Sequence, residues 1–209
     1  MALSKIQPAS IDLTANYAFT GTNSISSASS GTYEEKKLAT VTASSSATLD
    51  FTSNIDSTYN IYKFRIFNLH PATNNVSFSV NFRDGSTAFD ATKTTSAFYA
   101  YHTEDDSGTG LAYDTGKDLA QSTGVQVLNT SVSNGNDSGV SGELFLFDPS
   151  STTFVKHFLS NTNNMQDGDS SEVFHIAGYC NTTTAIDGVQ FKMSSGNIDS
   201  GTIEMYGIN

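Results

Sequence analysis

The 209-residue sequence has no tryptophan, one cysteine and three prolines, and its ten basic residues are outnumbered by 21 acids. Cys180 has no partner within the chain, so no internal disulfide holds the fold and nothing ties it to an oxidising compartment. It ends the apolar run His175-Ile-Ala-Gly-Tyr-Cys180, where a free cysteine packs as a small hydrophobe, and a buried structural thiol is expected. The formal charge of −11 is spread along the chain. Without a Lys/Arg cluster to neutralise phosphates, nucleic acid and anionic membranes are disfavoured, and neither is expected as a partner. Long apolar runs are missing too. No stretch approaches the ~20 residues of a membrane span, and no charged segment followed by an apolar one opens the chain. Synthesis in a cytoplasm, without a general secretory signal, is the expectation.

Long helical patterns are also lacking, because serine, threonine, asparagine and glycine dominate and favour turns and strand edges. Leu, Ile, Val and Phe reach only about a fifth of the residues, close to the limit for a packed chain. A thin core between two face-to-face sheets satisfies that limit, with 14 Phe and 9 Tyr supplying much of the burial. Ten short strands are predicted, at 37–43, 47–51, 59–69, 76–82, 97–102, 140–147, 153–160, 172–180, 186–193 and 201–208. Turn residues bound them at 71–75, 148–151 and 194–197. Val189, Phe191 and Met193 alternate with Gln190 and Lys192, and Tyr62, Phe64 and Ile66 alternate with Lys63 and Arg65. One face of each of these strands is therefore buried. Leu144, Phe145, Leu146 and Phe147 are apolar on both sides, as expected of a strand covered by a second sheet or another subunit. The stretch 103–136 breaks the rhythm with acids and glycines, and is read as a long excursion with one helical turn at 118–121.

The first 36 residues differ in kind. They are too polar to fold alone, yet carry spaced apolar side chains at Ile6, Ile11, Leu13, Tyr17 and Phe19, and end in a Gly/Ser/Thr linker. The division is an anchoring arm and linker over 1–36 and a β domain over 37–209. The five apolar residues are the candidate docking pegs.

No catalytic constellation emerges from the spacing. A G-x-S-x-G elbow is absent, and Gly168-Asp-Ser-Ser171 reads as a turn into a strand. The acids Glu104, Asp105, Asp106, Asp114 and Asp118 cluster in the excursion, but adjacent carboxylates on a Gly-rich loop are ordinarily solvated, and a carbohydrate-active enzyme is the weakest reading. His70, His102, His157 and His175 lack the spacing of a metal site. Asp167-Gly-Asp169 with Ser171 and Glu172, and Asn134-Gly-Asn-Asp137, offer alternating oxygens without matching a twelve-residue calcium loop. No metal and no cofactor is assigned. Tyr99, Tyr101 and Tyr113 beside Asp105, Asp106 and Asp114 supply stacking faces and hydroxyl acceptors, and form a candidate surface for a sugar or a partner.

Three segments carry a resemblance. MALSKIQPASIDL (1–13) continuing to YAFTGT (17–22), FDPSSTTFVKHF (147–158) and FKMSSGNIDSGTIEMYGI (191–208) resemble structural proteins of marine and cyanobacterial tailed bacteriophages. The resemblance implies a jelly-roll-like antiparallel β-sandwich on the virion surface, often a homotrimer, with a major capsid protein or another virion protein as partner. Similar leaders occur on fibre-like proteins with other bodies, which leaves attachment open between capsid and tail. The expectation is a non-enzymatic capsid decoration or cement protein anchored by its arm. The alternative is a head- or tail-fibre tip that binds host-surface glycan.

Overall fold

The computed structural model describes residues 35–209. Twelve antiparallel strands and no helix are present among the described residues. In chain order they are β1 Lys36–Thr42, β2 Leu49–Phe51, β3 Ile61–Pro71, β4 Val76–Arg83, β5 Lys93–Thr103 and β6 Thr109–Tyr113. The second half comprises β7 Gln126–Val132, β8 Gly139–Phe147, β9 Lys156–Gln166, β10 Ser170–Cys180, β11 Gly188–Met193 and β12 Ile198–Ile208.

Pairing builds two layers. The larger runs β1-β12-β3-β8-β9-β10-β5-β6 and the smaller β7-β4-β11-β2, and a single pair, Val132 with Gln166, joins β7 to β9. The result is an all-β antiparallel sandwich, nearly closed along that junction. Alternation explains which side chains fill it. From the larger sheet Tyr62, Phe64, Ile66, Leu144, Leu146 and Phe158 are fully buried or nearly so, and from the smaller Phe78, Val80, Phe82, Val189 and Phe191. The two sets meet as aromatic pairs across the sandwich: Phe51 with Phe64 at 5.2 Å, Phe64 with Phe191 at 5.6 Å, and Phe82 with Phe158 at 4.9 Å. Each buried ring contributes ~1.5–3 kcal/mol, with ~0.5–1.5 kcal/mol more from the pair geometry.

Several expected boundaries move. The stretch 103–136 is not an unstructured excursion, since it supplies β6 and β7, and residues 118–121 form no helical turn. The chain instead turns just upstream, where Lys117 and Asp118 donate their amides to the Asp114 carbonyl at 3.2 and 3.3 Å. The strand expected at 153–160 begins only at Lys156 and runs on to Gln166, leaving Phe154 exposed before it. Downstream, the small polar Ser160, Thr162 and Asn164 point inward and are buried. Bulges also reshape the larger sheet. Gly201 adopts φ +107° at the irregularity between Ser200 and Thr202, facing Asn68, itself left-handed at φ +43°.

Cys180 is fully buried as expected, and burial pushes its thiol up to about 12. Its ladder neighbours are Lys93 on β5 and Lys156 on β9, both buried. Lys93 Nζ donates to Asn81 Oδ1 at 2.5 Å and to the Ala91 carbonyl at 2.7 Å, and burial lowers it to about 8.

Candidate interaction surface

The period of two that fills the core also fixes what the larger sheet shows outside. Reading across the ladders, Lys63, Phe145, Leu159, Ala177 and Ser96 form one outward row. Arg65, Glu143, Asn161, His175, Phe98 and Tyr113 form the next. The inward alternates Leu144, Ile176 and Ala97 are buried, whereas Phe98 is 43% and Leu159 48% exposed. Between the rows lies a groove of about 340 Å³ bordered by Phe98, Phe145, Leu159, His175 and Ala177. A second groove of about 390 Å³ continues it past Leu159 to His157 and Tyr179.

The aromatic groups here are ordered by one another. His175 stacks on Phe98 at 4.9 Å, and Phe145 stacks on Phe147 at 6.3 Å. Lys63 Nζ sits 5.0 Å above the Phe145 ring, so the ammonium and its stem cover part of the apolar surface. Charge rims one side. Lys63 pairs with Glu143 at 3.0 Å and with Glu35 at 3.4 Å, Arg65 also pairs with Glu35, and Arg65 lies 4.6 Å over Tyr206. Exposed pairs of this kind contribute ~0–1 kcal/mol each, so their role is placement more than stability. An apolar, aromatic centre with a charged rim is the anatomy of a protein interface.

The four apolar residues of β8 divide as the pleat requires. Leu144 and Leu146 belong to the core, and Phe145 and Phe147 to the outer surface. The residues proposed for a sugar or partner also divide. Tyr113 lies beside Phe98 on the outer face, exposed, with its hydroxyl donating to Asp118 at 2.8 Å. Tyr99 and Tyr101 occupy the opposite face of β5, half-buried and stacked on each other at 6.3 Å, with Tyr99 5.4 Å from Phe174. Asp105 and Asp106 sit at the tip of the β5–β6 hairpin. Asp105 accepts the Ser107 amide, and hydrogen bonding from Ser107 holds its carboxyl below the usual range. Asp106 meets His102 Nε2 at 2.9 Å. Ile6, Ile11, Leu13, Tyr17 and Phe19 lie outside the described residues.

The oxygen-rich turns are engaged locally. Asp167 Oδ1 accepts from Asn74 Nδ2 at 2.6 Å in the β9–β10 turn, and among the described residues no three or more His, Cys, Asp or Glu side chains gather as metal ligands. Phe98, Leu159 and His175 were missed as surface residues. Their signal was present, since β5, β9 and β10 carry apolar groups at consecutive positions, as in Ala97-Phe98, Phe158-Leu159 and Ile176-Ala177, and so show them on both faces. No protein family, no curated protein and no solved structure matches this chain.

Proposed function

We propose that the chain is a non-enzymatic bacteriophage virion structural protein, a capsid decoration or cement protein whose first 20 residues grip a major capsid protein or another virion protein. The observation that carries this reading is the apolar groove bounded by Phe98, Phe145 and Leu159, an exposed surface whose burial against a protein partner would be favourable. Self-association as a trimer through this face is part of the proposal, and the resemblance of the leader and the last strand supports its place on a particle. The body presents the groove while Ile6, Ile11, Leu13, Tyr17 and Phe19 act as pegs. Each peg contributes ~1.5–3 kcal/mol before ordering costs, and several arms on one oligomer add avidity. The net charge of −11 keeps densely displayed copies soluble. Deletion of residues 2–20 tests the reading: the shortened protein should remain folded and fail to bind particles.

A second reading, a fibre tip for host-surface glycan, is favoured by one observation. Tyr113 offers an exposed ring with Asp118 bound to its hydroxyl, a stacking face beside an acceptor. A glycan array separates the two, because a cement protein binds no sugar.

A further inference from the structure

Where β7 crosses β9 and β10, the inward face of the larger sheet turns from apolar to polar. Asn164 on β9 and Glu172 on β10 are directly opposed in the ladder, and Thr162 shares the Asn164 face two residues earlier. From β7, the Thr130 carbonyl accepts from Asn164 Nδ2 at 3.0 Å. Asn129 Nδ2 donates to Thr162 Oγ1 at 3.2 Å. Asn129, Asn164 and Glu172 are 0%, 1% and 6% exposed.

Three side-chain oxygens in this cluster, Asn129 Oδ1, Asn164 Oδ1 and Glu172 Oε2, are buried without a hydrogen-bond partner. All three are acceptors, and no buried side-chain donor among the described residues is left over. The amide orientations are fixed by their neighbours. Turning Asn164 over would set its oxygen against the Thr130 carbonyl. Turning Asn129 over would set its oxygen against Thr162 Oγ1, whose proton is already given to the Leu128 carbonyl at 2.6 Å. Glu172 has no basic partner among the described ion pairs, burial pushes its carboxyl up to about 7, and Asp114 adds further negative field. Below pH 7 the proton on Glu172 serves one of these acceptors; once it is lost, the surplus of buried acceptors calls for a positive ligand. An all-oxygen donor set suits a hard cation; it offers no nitrogen or sulfur for zinc.

We propose that Glu172, Asn164 and Asn129 form a buried calcium site, completed by oxygen from Thr130. One carboxylate among neutral oxygens places it in the weak class, with a Kd of ~10⁻⁴–10⁻³ M. Magnesium, which demands near-ideal octahedral geometry, fits strand-borne ligands poorly. The ion ties β7 to β9 and β10, close to the single Val132–Gln166 pair that joins the two sheets, so its effect is on the cohesion of the sandwich.

The test uses the full chain at pH 8, where Glu172 is ionised. Terbium serves as a luminescent stand-in for calcium; Tyr101 stands opposite Glu172 in the β5–β10 ladder as a sensitiser, and no tryptophan interferes. Saturable tyrosine-sensitised emission is expected, displaced by millimolar CaCl2, and 10 mM CaCl2 should raise Tm by about 3–5 °C where the same concentration of MgCl2 does not. Glu172→Gln should weaken binding at least tenfold and remove the Tm rise. Should that variant not fold, Glu172→Asp, which keeps the charge but withdraws it by one methylene, should weaken terbium binding at least threefold. The proposal is overturned by a Tm indifferent to calcium, by terbium binding that survives Glu172→Gln and so belongs to exposed acids such as Glu104 or Asp105, or by terbium binding unchanged in Glu172→Asp.

Discussion

His175 and Phe98 face each other across the β10–β5 ladder with their rings stacked, centroids 4.9 Å and planes 25° apart, on the outer side of the larger sheet. A histidine laid flat on an exposed phenylalanine beside Leu159 and Phe145 gives the groove a firm floor without giving it a core to belong to. Replacing both Phe98 and Leu159 by serine should therefore cost only about 1 kcal/mol in a denaturant melt, mostly the lost ring stacking. For the proposed trimer, the same double variant should shift light scattering from trimer to monomer. A trimer of unchanged stability in this variant would remove the outer face from the interface.

Phe191 is the hub of the opposite kind. It touches Phe51 at 6.3 Å, Phe64 at 5.6 Å and Phe78 at 5.8 Å, and links the two layers from inside. Phe191→Ala should destabilise the body by about 3–5 kcal/mol through lost burial and the cavity left behind, read as a lower denaturant midpoint with an unchanged slope.

Gly201 has a tighter constraint than its neighbours. A Cβ there would lie 2.5 Å from the Asn68 carbonyl oxygen, and φ +107° is strained for any other residue. Gly201→Ala should cost about 2–4 kcal/mol, combining backbone strain with a clash against main chain that cannot rotate away. A thermal melt within 2 °C of the parent would contradict the bulge geometry.

Lys93 gives a pH signature with a definite sign. Its ammonium is lowered by burial to about 8 in the fold, against about 10.4 unfolded. Between those values the unfolded chain binds more protons, so stability rises with pH once pH passes 8. Lys156, also lowered by burial, adds in the same direction. Cys180 acts oppositely: its raised thiol keeps a proton that the unfolded chain loses above about 8.5–9, so its contribution falls from there upward. Between pH 8 and 9 the stability difference between the parent and Lys93→Met should therefore widen by about 1 kcal/mol in chemical denaturation, the Cys180 loss being common to both proteins.

The strands that were legible in the sequence share one property: their inward residues are large and apolar. Val189, Phe191 and Met193, or Tyr62, Phe64 and Ile66, announce a buried face by alternation, and the fold places them there. β7 was hidden because Gln126 and Asn129 are buried polar residues and Ser131, at φ +51°, interrupts the period. β6 was hidden for the reverse reason, as Leu111, Ala112 and Tyr113 are all exposed and no buried stripe exists to read. The second half of β9 escaped because Ser160, Thr162 and Asn164 face inward toward hydrogen bonds supplied largely by other strands. The outer groove was half legible. Phe145 and Phe147 were visible as the second face of β8, whereas the union of Phe98, Leu159 and His175 depends on ladder register, which pairs residues far apart in sequence.

The role proposed for the first 20 residues is tested most directly by cosedimentation. The full chain and a variant lacking residues 2–20 would be mixed with cognate phage particles stripped of this protein, and the bound fraction measured across concentration. The account predicts saturable binding of the full chain and none of the shortened one, with both showing the same melting transition for the β domain. Equal binding by the two proteins would contradict it.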